Sequence, residues 1–112
     1  MYVEVQGVED FSSLRNLSQR YFVGFELTTG KDLSGVFEYR LRFSLSSEPY
    51  IGEGPTLSVE CHGVRSLELM QSDWSVETIE LSVQYDQGTW TFEDIGHERV
   101  FRFHCRQVFV IG

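Results

Sequence analysis

The chain of 112 residues is poor in positive charge: Lys31 is its one lysine, and its 9 basic residues stand against 17 acidic ones, for a formal net charge of −8. A nucleic-acid-binding surface needs clustered Lys and Arg to neutralise phosphates. The charge balance therefore argues against nucleic acid as a partner. A negative field raises the encounter rate with a basic protein, although many soluble proteins are this acidic for solubility alone.

Long apolar runs are also missing. The longest uncharged apolar stretch is Val108 to Ile111, whereas a helix that crosses a bilayer needs roughly 20 apolar residues. Met1 to Val5 shows no basic region followed by an apolar run, as a signal peptide would. We therefore expect no contact with a membrane and a cytoplasmic location.

The common catalytic and cofactor-binding motifs are absent. Gly52-Glu53-Gly54-Pro55 precedes a predicted strand instead of a helix, and it carries a carboxylate where a phosphate would bind. Ser34-Gly35 lacks the Gly-x-Ser-x-Gly pattern of a nucleophile elbow. We predict a protein that is not an enzyme and needs no cofactor.

What the sequence does contain is strict alternation of apolar and polar residues. In Phe37 to Leu45 every second side chain is apolar, and the same pattern returns in Ile79 to Tyr85 and in Val100 to Cys105. Only an extended strand, with its two-residue side-chain period, sorts residues in this way. Aromatics make up 14% of the chain, which suits the pleated surface of a β-sheet.

Turn residues divide this pattern into short elements. A weak edge strand is predicted over Tyr2 to Gln6, and a hairpin is predicted with its turn at Thr29 to Asp32. A second hairpin turns at Asp86-Gln87-Gly88, and the last strand runs from about Arg99 to Ile111. Residues 1–112 are predicted to form a single all-β domain, an antiparallel β-sandwich or small barrel of seven to eight strands. An α+β arrangement is the alternative.

One short helix is predicted near the N-terminus. Asp10 can cap it through its side-chain oxygen, and Phe11, Leu14 and Leu17 then follow at intervals of three on one flank. A helix of about three turns is marginal alone. It must therefore pack on the sheet.

Cys61-His62 and His104-Cys105 contain the usual ligands of zinc. Neighbouring residues of a strand project to opposite faces, so both cysteines are expected inside and both histidines outside. Four ligands divided in this way do not converge on one ion, and we predict no metal site. Two reduced core thiols are favoured over a disulfide, although a bond is sterically open if the two Cα atoms lie within about 7 Å.

Charged residues suggest two features of the surface. Asp86, Glu93, Asp94 and Glu98 form an acidic loop surface that we predict as the protein-binding site. Arg40, Arg42, Arg102 and Arg106 lie on the polar faces of two long strands. We expect them to pair across strands with Glu26, Glu38, Glu60 or Glu80, and a positive stripe formed by the four is the alternative.

The second half of the chain resembles small uncharacterised bacterial β-rich proteins, some of which accompany secreted toxins as immunity partners. The resemblance rests on Cys61 to Leu69, Ile79 to Tyr85, Trp90 to Asp94 and Phe101 to Cys105. It implies a compact, acidic, non-catalytic protein that occludes a toxin.

Two functional hypotheses follow. The first is an immunity-type protein that neutralises a basic toxin domain through the acidic surface. The second is a small-ligand-binding module or enzyme that uses a cleft near His62, His104 and Trp74. A homodimer formed by strand addition stays open under either hypothesis, because edge strands expose unpaired backbone groups.

Overall fold

Nine strands and one helix make up the part of the chain that this computed structural model describes, residues 2–15, 20–49, 54–69, 79–96 and 99–111. In chain order they are β1 (Tyr2–Glu4), α1 (Val8–Leu14), β2 (Tyr21–Lys31), β3 (Phe37–Ser46), β4 (Thr56–His62), β5 (Arg65–Leu69), β6 (Leu81–Asp86), β7 (Thr89–Asp94), β8 (Phe101–Cys105) and β9 (Gln107–Ile111).

The strands form two antiparallel sheets. Sheet A has the order β1-β9-β4-β3-β2, and sheet B has the order β5-β8-β7-β6. The predicted all-β sandwich is therefore confirmed. Among the described elements, the edge strands are β1 and β2 in sheet A and β5 and β6 in sheet B.

The core lies between the sheets, where the alternating residues meet. On β3, Leu41, Phe43 and Leu45 are buried while Arg42 and Ser44 between them are half-buried. Phe103 of β8 stacks on Phe92 of β7 with ring centroids 5.3 Å apart. Each fully buried side chain of this size contributes roughly 1.5–3 kcal/mol. The alternation of apolar and polar residues in the sequence thus matches the alternation of more and less buried side chains along the strand.

Helix α1 begins and is capped differently from the prediction. Its N-cap is Gly7, which makes no side-chain capping bond. Asp10 lies inside the first turn, and its carboxylate accepts a hydrogen bond from the backbone N–H of Gln6 at 2.9 Å. The prediction that Asp10 is the N-cap is therefore wrong. Phe11 is buried, with its ring centroid 5.5 Å from that of Phe92, whereas Leu14 is exposed; Leu17 lies outside the described residues.

No helix among the described segments has both the length and the apolar character needed to cross a membrane.

The last predicted strand is in fact two strands in different sheets. It is interrupted at Arg106, whose backbone N–H donates to the carbonyl of His62 at 2.9 Å. On one side of this residue β8 pairs with β5 and β7, and on the other side β9 pairs with β1 and β4. Two polar residues, Arg106 and Gln107, stand together at this point, so the buried apolar positions change from 101, 103 and 105 to 108 and 110. The sequence prediction treated the segment as one continuous strand in spite of this change of phase. This division is one reason why nine strands are described and seven to eight were predicted.

Strand β2 corrects a second prediction. Alternation in the sequence predicts one apolar face formed by Tyr21, Val23, Phe25 and Leu27, but the register shifts between Phe22 and Gly24. Because of this bulge, Phe22 lies opposite Leu45 and packs on the core. A bulge inserts one residue and so changes the phase of the alternation. Phe25 and Leu27 still share the inner face with Phe43 and Leu41.

Candidate functional site

The hairpin of β2 and β3 carries apolar side chains that the sandwich leaves uncovered. Phe25, Leu27, Phe37 and Tyr39 lie on the face that is buried further along β3, yet all four are exposed, and Phe37 is 74% exposed. The inner face of the hairpin therefore extends past sheet B. Clustered exposed apolar groups of this kind mark interaction surfaces in soluble proteins.

The tip of this hairpin is an ordered turn from Asp32 to Val36. The Oδ1 atom of Asp32 accepts hydrogen bonds from the backbone N–H groups of Ser34 and Val36, each at 2.9 Å, and from the Ser34 hydroxyl at 2.7 Å. The bonds from the Ser34 hydroxyl and the Val36 N–H, with the nearby charge of Arg106, lower the pKa of Asp32. The turn holds Leu33 fully in solvent, and so it presents an aliphatic group on a defined backbone.

An apolar groove lies where the hairpin meets β5. Its volume is about 370 Å³. It is lined by Leu27, Tyr39, Val64, Arg65, Ser66 and Leu67. Arg65 is the cation in this lining. Further along the hairpin, the Nζ atom of Lys31 lies 5.0 Å from the centroid of the Phe37 ring.

A polar groove adjoins it on the outer face of sheet B. Its volume is about 470 Å³, and besides Arg65 and Ser66 it is lined by Gln84, Asp86, Thr89, Thr91 and His104. Arg65 Nη2 donates to Thr89 Oγ1 at 3.2 Å. Thr91 Oγ1 and His104 Nδ1 are 2.9 Å apart and share a hydrogen bond. The groove thus has fixed polar groups across its floor.

The two grooves meet at the start of β5, where the backbone is irregular. The register between β5 and β8 shifts between Arg65 and Glu68. Ser66 has a φ of 54°, a conformation that residues other than glycine adopt uncommonly. Bulges and such outliers are frequent beside functional sites, where they redirect side chains. We call the two grooves together the β5 surface.

The predicted acidic residues are only partly brought together. Asp86 is exposed and lines the polar groove. Glu93 lies four residues beyond Thr89 on β7, roughly 13 Å along the strand, with its Oε2 atom 4.0 Å from Arg102 Nε. Glu98 lies outside the described residues.

Asp94 belongs to the core and not to this surface. It is 1% exposed. Its Oδ1 atom accepts from the backbone N–H groups of Glu80 and Gly96, each at 2.9 Å, and its Oδ2 atom accepts from that of Val100 at 2.8 Å. The expectation that Asp94 lies on an exposed acidic surface is therefore wrong. Its buried carboxylate instead accepts hydrogen bonds from backbone N–H groups that precede and follow β7 in the chain.

His62 and His104 do not share a cleft. His104 lies in the polar groove of sheet B, whereas His62 lies on the outer face of sheet A. His62 Nε2 is 3.0 Å from Glu60 Oε2, its Nδ1 is 3.8 Å from Glu38 Oε2, and its ring lies 4.6 Å from that of Phe109. The single cleft expected near both histidines is therefore not formed, and Trp74 lies outside the described residues.

The arginines on the polar faces confirm the sequence prediction in part. Arg42 Nη2 is 3.1 Å from Glu60 Oε1 across β3 and β4. Arg40 Nε is 3.1 Å from Glu38 Oε2 within β3, and Arg106 also binds Glu38. Arg102 instead approaches Glu93. The pairs made by Glu38 and Glu60 neutralise charge on the outer face of sheet A.

Two opposing effects act on the pKa of Glu60, which belongs to this network of charged pairs. Its partial burial raises the pKa, but hydrogen bonds from His62 and Arg42 outweigh burial, and the net pKa of Glu60 is lowered. The carboxylate therefore stays charged as part of a satisfied network on the outer face of sheet A.

The cysteines and histidines occupy the predicted faces. Cys61 and Cys105 are buried, while His62 and His104 are partly exposed. Within the residues that the structure describes, no group of three or more His, Cys, Asp or Glu side chains is placed to hold a metal ion.

The sequence pattern did not reveal the apolar groove. Leu27 and Leu67 have the alternation of core residues, and only the position of sheet B decides that Leu27 remains exposed. The signal that could have indicated this groove is the difference in strand length, since β2 has 11 residues and β5 has 5. A long strand facing a short one leaves part of its inner face uncovered.

Comparisons with protein-family models, with curated proteins and with solved structures gave no match. The resemblance to immunity-type proteins therefore stays a prediction.

Proposed function

We propose that this chain is a non-catalytic protein-binding domain and that its partner docks on the β5 surface. The observation that carries the proposal is the exposed inner face of the hairpin, where Leu27 and Tyr39 form one wall of an apolar groove. Protein interfaces centre on aromatic and aliphatic groups that lose water on binding. The ordered turn that holds Leu33 in solvent supports the same role, because a rigid element loses little entropy when it binds.

The partner that fits is a basic protein with an apolar contact region. The net charge of −8 would steer a basic protein toward the chain at long range. Within the β5 surface, the partner's apolar groups occupy the apolar groove and one of its cations reaches Asp86. Arg65 lines the apolar groove and opposes further cations there, so the apolar contact and the charge contact occupy different parts of the surface.

An immunity role is the specific form of this proposal. In it, the domain resides in the cytoplasm and covers the active site of a basic toxin domain, as the sequence resemblance implies. Support comes from the acidic charge and from the exposed apolar groove, which together suit tight occlusion of a basic surface. Glu93 extends the acidic contact beyond Asp86.

The first test is isothermal titration of the purified chain against the purified product of the neighbouring gene. Binding with sub-micromolar affinity, together with growth protection of cells that express that product, is expected. Absence of both heat and protection would reject the immunity role.

A pair of leucine variants tests the surface. Leu27→Asp is expected to weaken binding at least tenfold, because a charge replaces an apolar group at the centre of the contact. Leu14→Asp is the matched control: Leu14 is 41% exposed and Leu27 is 42% exposed, but Leu14 lies on α1. Equal affinities of the two variants would contradict the β5 surface while leaving binding itself intact.

A pair of charge reversals tests the acidic contact. Asp86→Lys and Glu9→Lys change the net charge equally, and both residues are exposed, but Glu9 lies on α1. We expect Asp86→Lys to reduce the association rate more strongly than Glu9→Lys at low ionic strength, with the difference shrinking in high salt. Equal reductions would mean that only the overall charge matters.

A small polar ligand in the polar groove is the second candidate. The observation that favours it is the fixed arrangement of Arg65, Thr91 and His104 around a cavity of about 470 Å³, a volume within the usual range of ligand sites. Acetate and inorganic phosphate are suitable probes, because the Arg65 guanidinium suits carboxylate and phosphate groups. Saturable NMR shifts at Thr91 and His104, with none in Arg65→Ala, would support this ligand site over protein docking.

A further inference from the structure

Strand β2 is an edge of sheet A, and most of its outer side is open. Of the described strands, only β3 pairs with it. Before β2 begins, the carbonyl of Arg20 accepts a hydrogen bond from the N–H of Ile79 at 2.8 Å. From Phe25 to Lys31, no described segment forms backbone hydrogen bonds with the outer side. The Lys31 carbonyl accepts from Arg40 Nη2 at 2.9 Å and keeps a second lone pair.

The hydrogen bonds of β3 show which residues of β2 face the open side. The carbonyl of Tyr39 accepts from the N–H groups of Gly63 and Val64, which follow β4, at 3.1 and 3.0 Å. The backbone of Tyr39 therefore points toward β4. Its partner on β2 is Thr29, whose backbone consequently points away from β3, and this direction alternates along the strand. The outward-facing backbone groups are those of Phe25, Leu27, Thr29 and Lys31.

This edge lacks the features that usually protect an edge strand. Natural edges are blunted by prolines, charges, bulges or short length. From Gly24 to Lys31 the register with β3 is regular, and the stretch contains no proline. Its two charged residues, Glu26 and Lys31, have opposite signs. The stretch is therefore neutral within an acidic chain, so it attracts a basic partner little and opposes a strand of the same sequence little.

We propose that a second copy of this chain adds its β2 antiparallel to this edge, so that two five-stranded A sheets join across a two-fold axis. Such an axis brings the same patch of both copies together. In the register that fits, Thr28 lies opposite Thr28 of the second copy, and Leu27 lies opposite Thr29 of the second copy. Each of the four outward residues then pairs with an outward residue, which gives roughly eight hydrogen bonds. The inference is independent of the proposed binding function.

The side chains suit this register on both faces. On the inner face, Leu27 lies diagonally across the axis from Leu27 of the second copy, within reach of an apolar contact. Phe25 lies opposite Lys31 of the second copy, and a cation beside an aromatic ring is a favourable pair. On the outer face, Glu26 lies opposite Gly30 of the second copy. No two like charges are directly opposed.

The neighbouring registers are less favourable. A shift by one residue would set outward backbone groups against inward ones, so that the ladder could not form. A shift by two residues in one direction places Glu26 opposite Asp32 of the second copy, and like charges directly opposite are destabilising. The same shift in the other direction brings the bulge between Phe22 and Gly24 into the paired region.

The first test is analytical ultracentrifugation of the full chain from about 5 µM to about 500 µM. A reversible monomer–dimer equilibrium is expected, with a dissociation constant inside this range. The dimer fraction should rise with salt, because the net charge of −8 on each copy opposes association. Binding of a basic partner should instead weaken in salt, which separates the two proposals. A chain that stays monomeric at the highest concentration in about 0.5 M salt would overturn the dimer.

A pair of lysine variants tests the edge. Thr28→Lys sets two cations opposite each other at the two-fold axis, and we expect it to weaken dimerisation at least tenfold. Ser12→Lys is the matched control: both residues are exposed and both variants change the net charge equally, but Ser12 lies on α1. Equal dissociation constants for the two variants would show that the copies meet elsewhere.

A cysteine variant tests the register. The backbone of Thr28 points toward β3, so this residue and its copy form a non-hydrogen-bonded pair with Cα atoms roughly 4.5 Å apart, close enough for a disulfide. Mild oxidation of Thr28→Cys is therefore expected to give a covalent dimer.

Glu26→Cys is the control on the same face, because its two copies are offset by four residues, roughly 13 Å along the strands. The wild-type chain measures the contribution of Cys61 and Cys105, which are both buried. A covalent dimer from Glu26→Cys in preference to Thr28→Cys would contradict the proposed pairing, as would equal amounts from Thr28→Cys and the wild type.

Discussion

The carboxylate of Asp94 accepts a hydrogen bond from the backbone N–H of Val100 at 2.8 Å, in the buried part of the sandwich where β7 leads toward β8. The same side chain also accepts from Glu80 and Gly96. A single carboxylate therefore satisfies three backbone donors from separate parts of the chain. Buried donors without acceptors are costly, so this side chain stabilises the fold.

The first prediction concerns this residue. Asp94→Ala leaves the three N–H groups without their acceptor, and we expect the free energy of unfolding to fall by about 3 kcal/mol or more. Asp86→Ala, at an exposed position, should change it by no more than about 0.5 kcal/mol. Urea denaturation of both variants provides the measurement. A small loss in Asp94→Ala would mean that water replaces the carboxylate.

The second prediction concerns the pH dependence of the hairpin tip. The pKa of Asp32 is lowered from its ordinary value of 3.8 by hydrogen bonds from Ser34 and Val36. A carboxyl group with a lowered folded-state pKa stabilises the fold above its ordinary pKa, and this contribution is lost as the pH falls through the lowered value. The turn should therefore persist at pH 4 and above and loosen only in stronger acid.

NMR titration of the Ser34 and Val36 amide protons measures this effect. Their chemical shifts should follow a midpoint below 3.8. The transition should disappear in Asp32→Asn, and Ser34→Ala should move the midpoint upward because it removes the strongest hydrogen bond. A wild-type midpoint at or above 3.8 would contradict the hydrogen bonds that the Asp32 carboxylate accepts from Ser34 and Val36.

The third prediction separates folding from binding on a single strand. Phe43 and Phe37 are both on β3 and on the same face, but Phe43 is 1% exposed and Phe37 is 74% exposed. Phe43→Ala should cost about 3–5 kcal/mol of stability because it leaves a cavity among packed rings. Phe37→Ala should cost less than about 1 kcal/mol. Thermal and urea unfolding compare the two, and similar losses would show that the hairpin end is covered.

The fourth prediction concerns the corner between β4 and β5. Gly63 has a φ of 72° and Gly88 a φ of 79°, so alanine at either position costs about 1 kcal/mol from backbone strain. A Cβ atom at Gly63 would also meet the side chain of Arg106, whereas one at Gly88 meets open space. We expect Gly63→Ala to be the more destabilising of the two by about 1 kcal/mol.

Urea denaturation of Gly63→Ala and Gly88→Ala gives the comparison. The same two variants in an Arg106→Ala background supply the control, because the extra cost at Gly63 should then vanish. If it persists, the corner is restricted by the backbone and not by the guanidinium that binds Glu38.

The sequence predicted the sidedness of the strands well, since alternation follows directly from the two-residue period. It placed Leu41, Phe43 and Leu45 in the interior. It also placed both cysteines on the inner faces of their strands and both histidines on the outer faces. It failed where a local irregularity changed the phase. The bulge after Phe22 depends on partners distant in sequence. The adjacent polar residues Arg106 and Gln107 mark a change of phase, but they do not show that β9 joins the other sheet.

The candidate site was less accessible to prediction than the fold. Asp86 was identified as a surface residue, but Asp94 in the neighbouring segment looked the same in sequence and is buried. Asp94 differs from Asp86 because its carboxylate accepts hydrogen bonds from the backbone N–H groups of Glu80, Gly96 and Val100. The grooves likewise arise where β5 meets the hairpin, which requires knowledge of the strand order.

The sequence by itself determined an antiparallel β fold with an aromatic interior, because side-chain alternation is a local property of each strand. It left the choice between a sandwich and a small barrel to the tertiary structure. Only the tertiary structure decided which inner faces are covered and which carboxylate is buried. Those outcomes depend on the lengths and crossings of strands far apart in the chain, so no single segment encodes them.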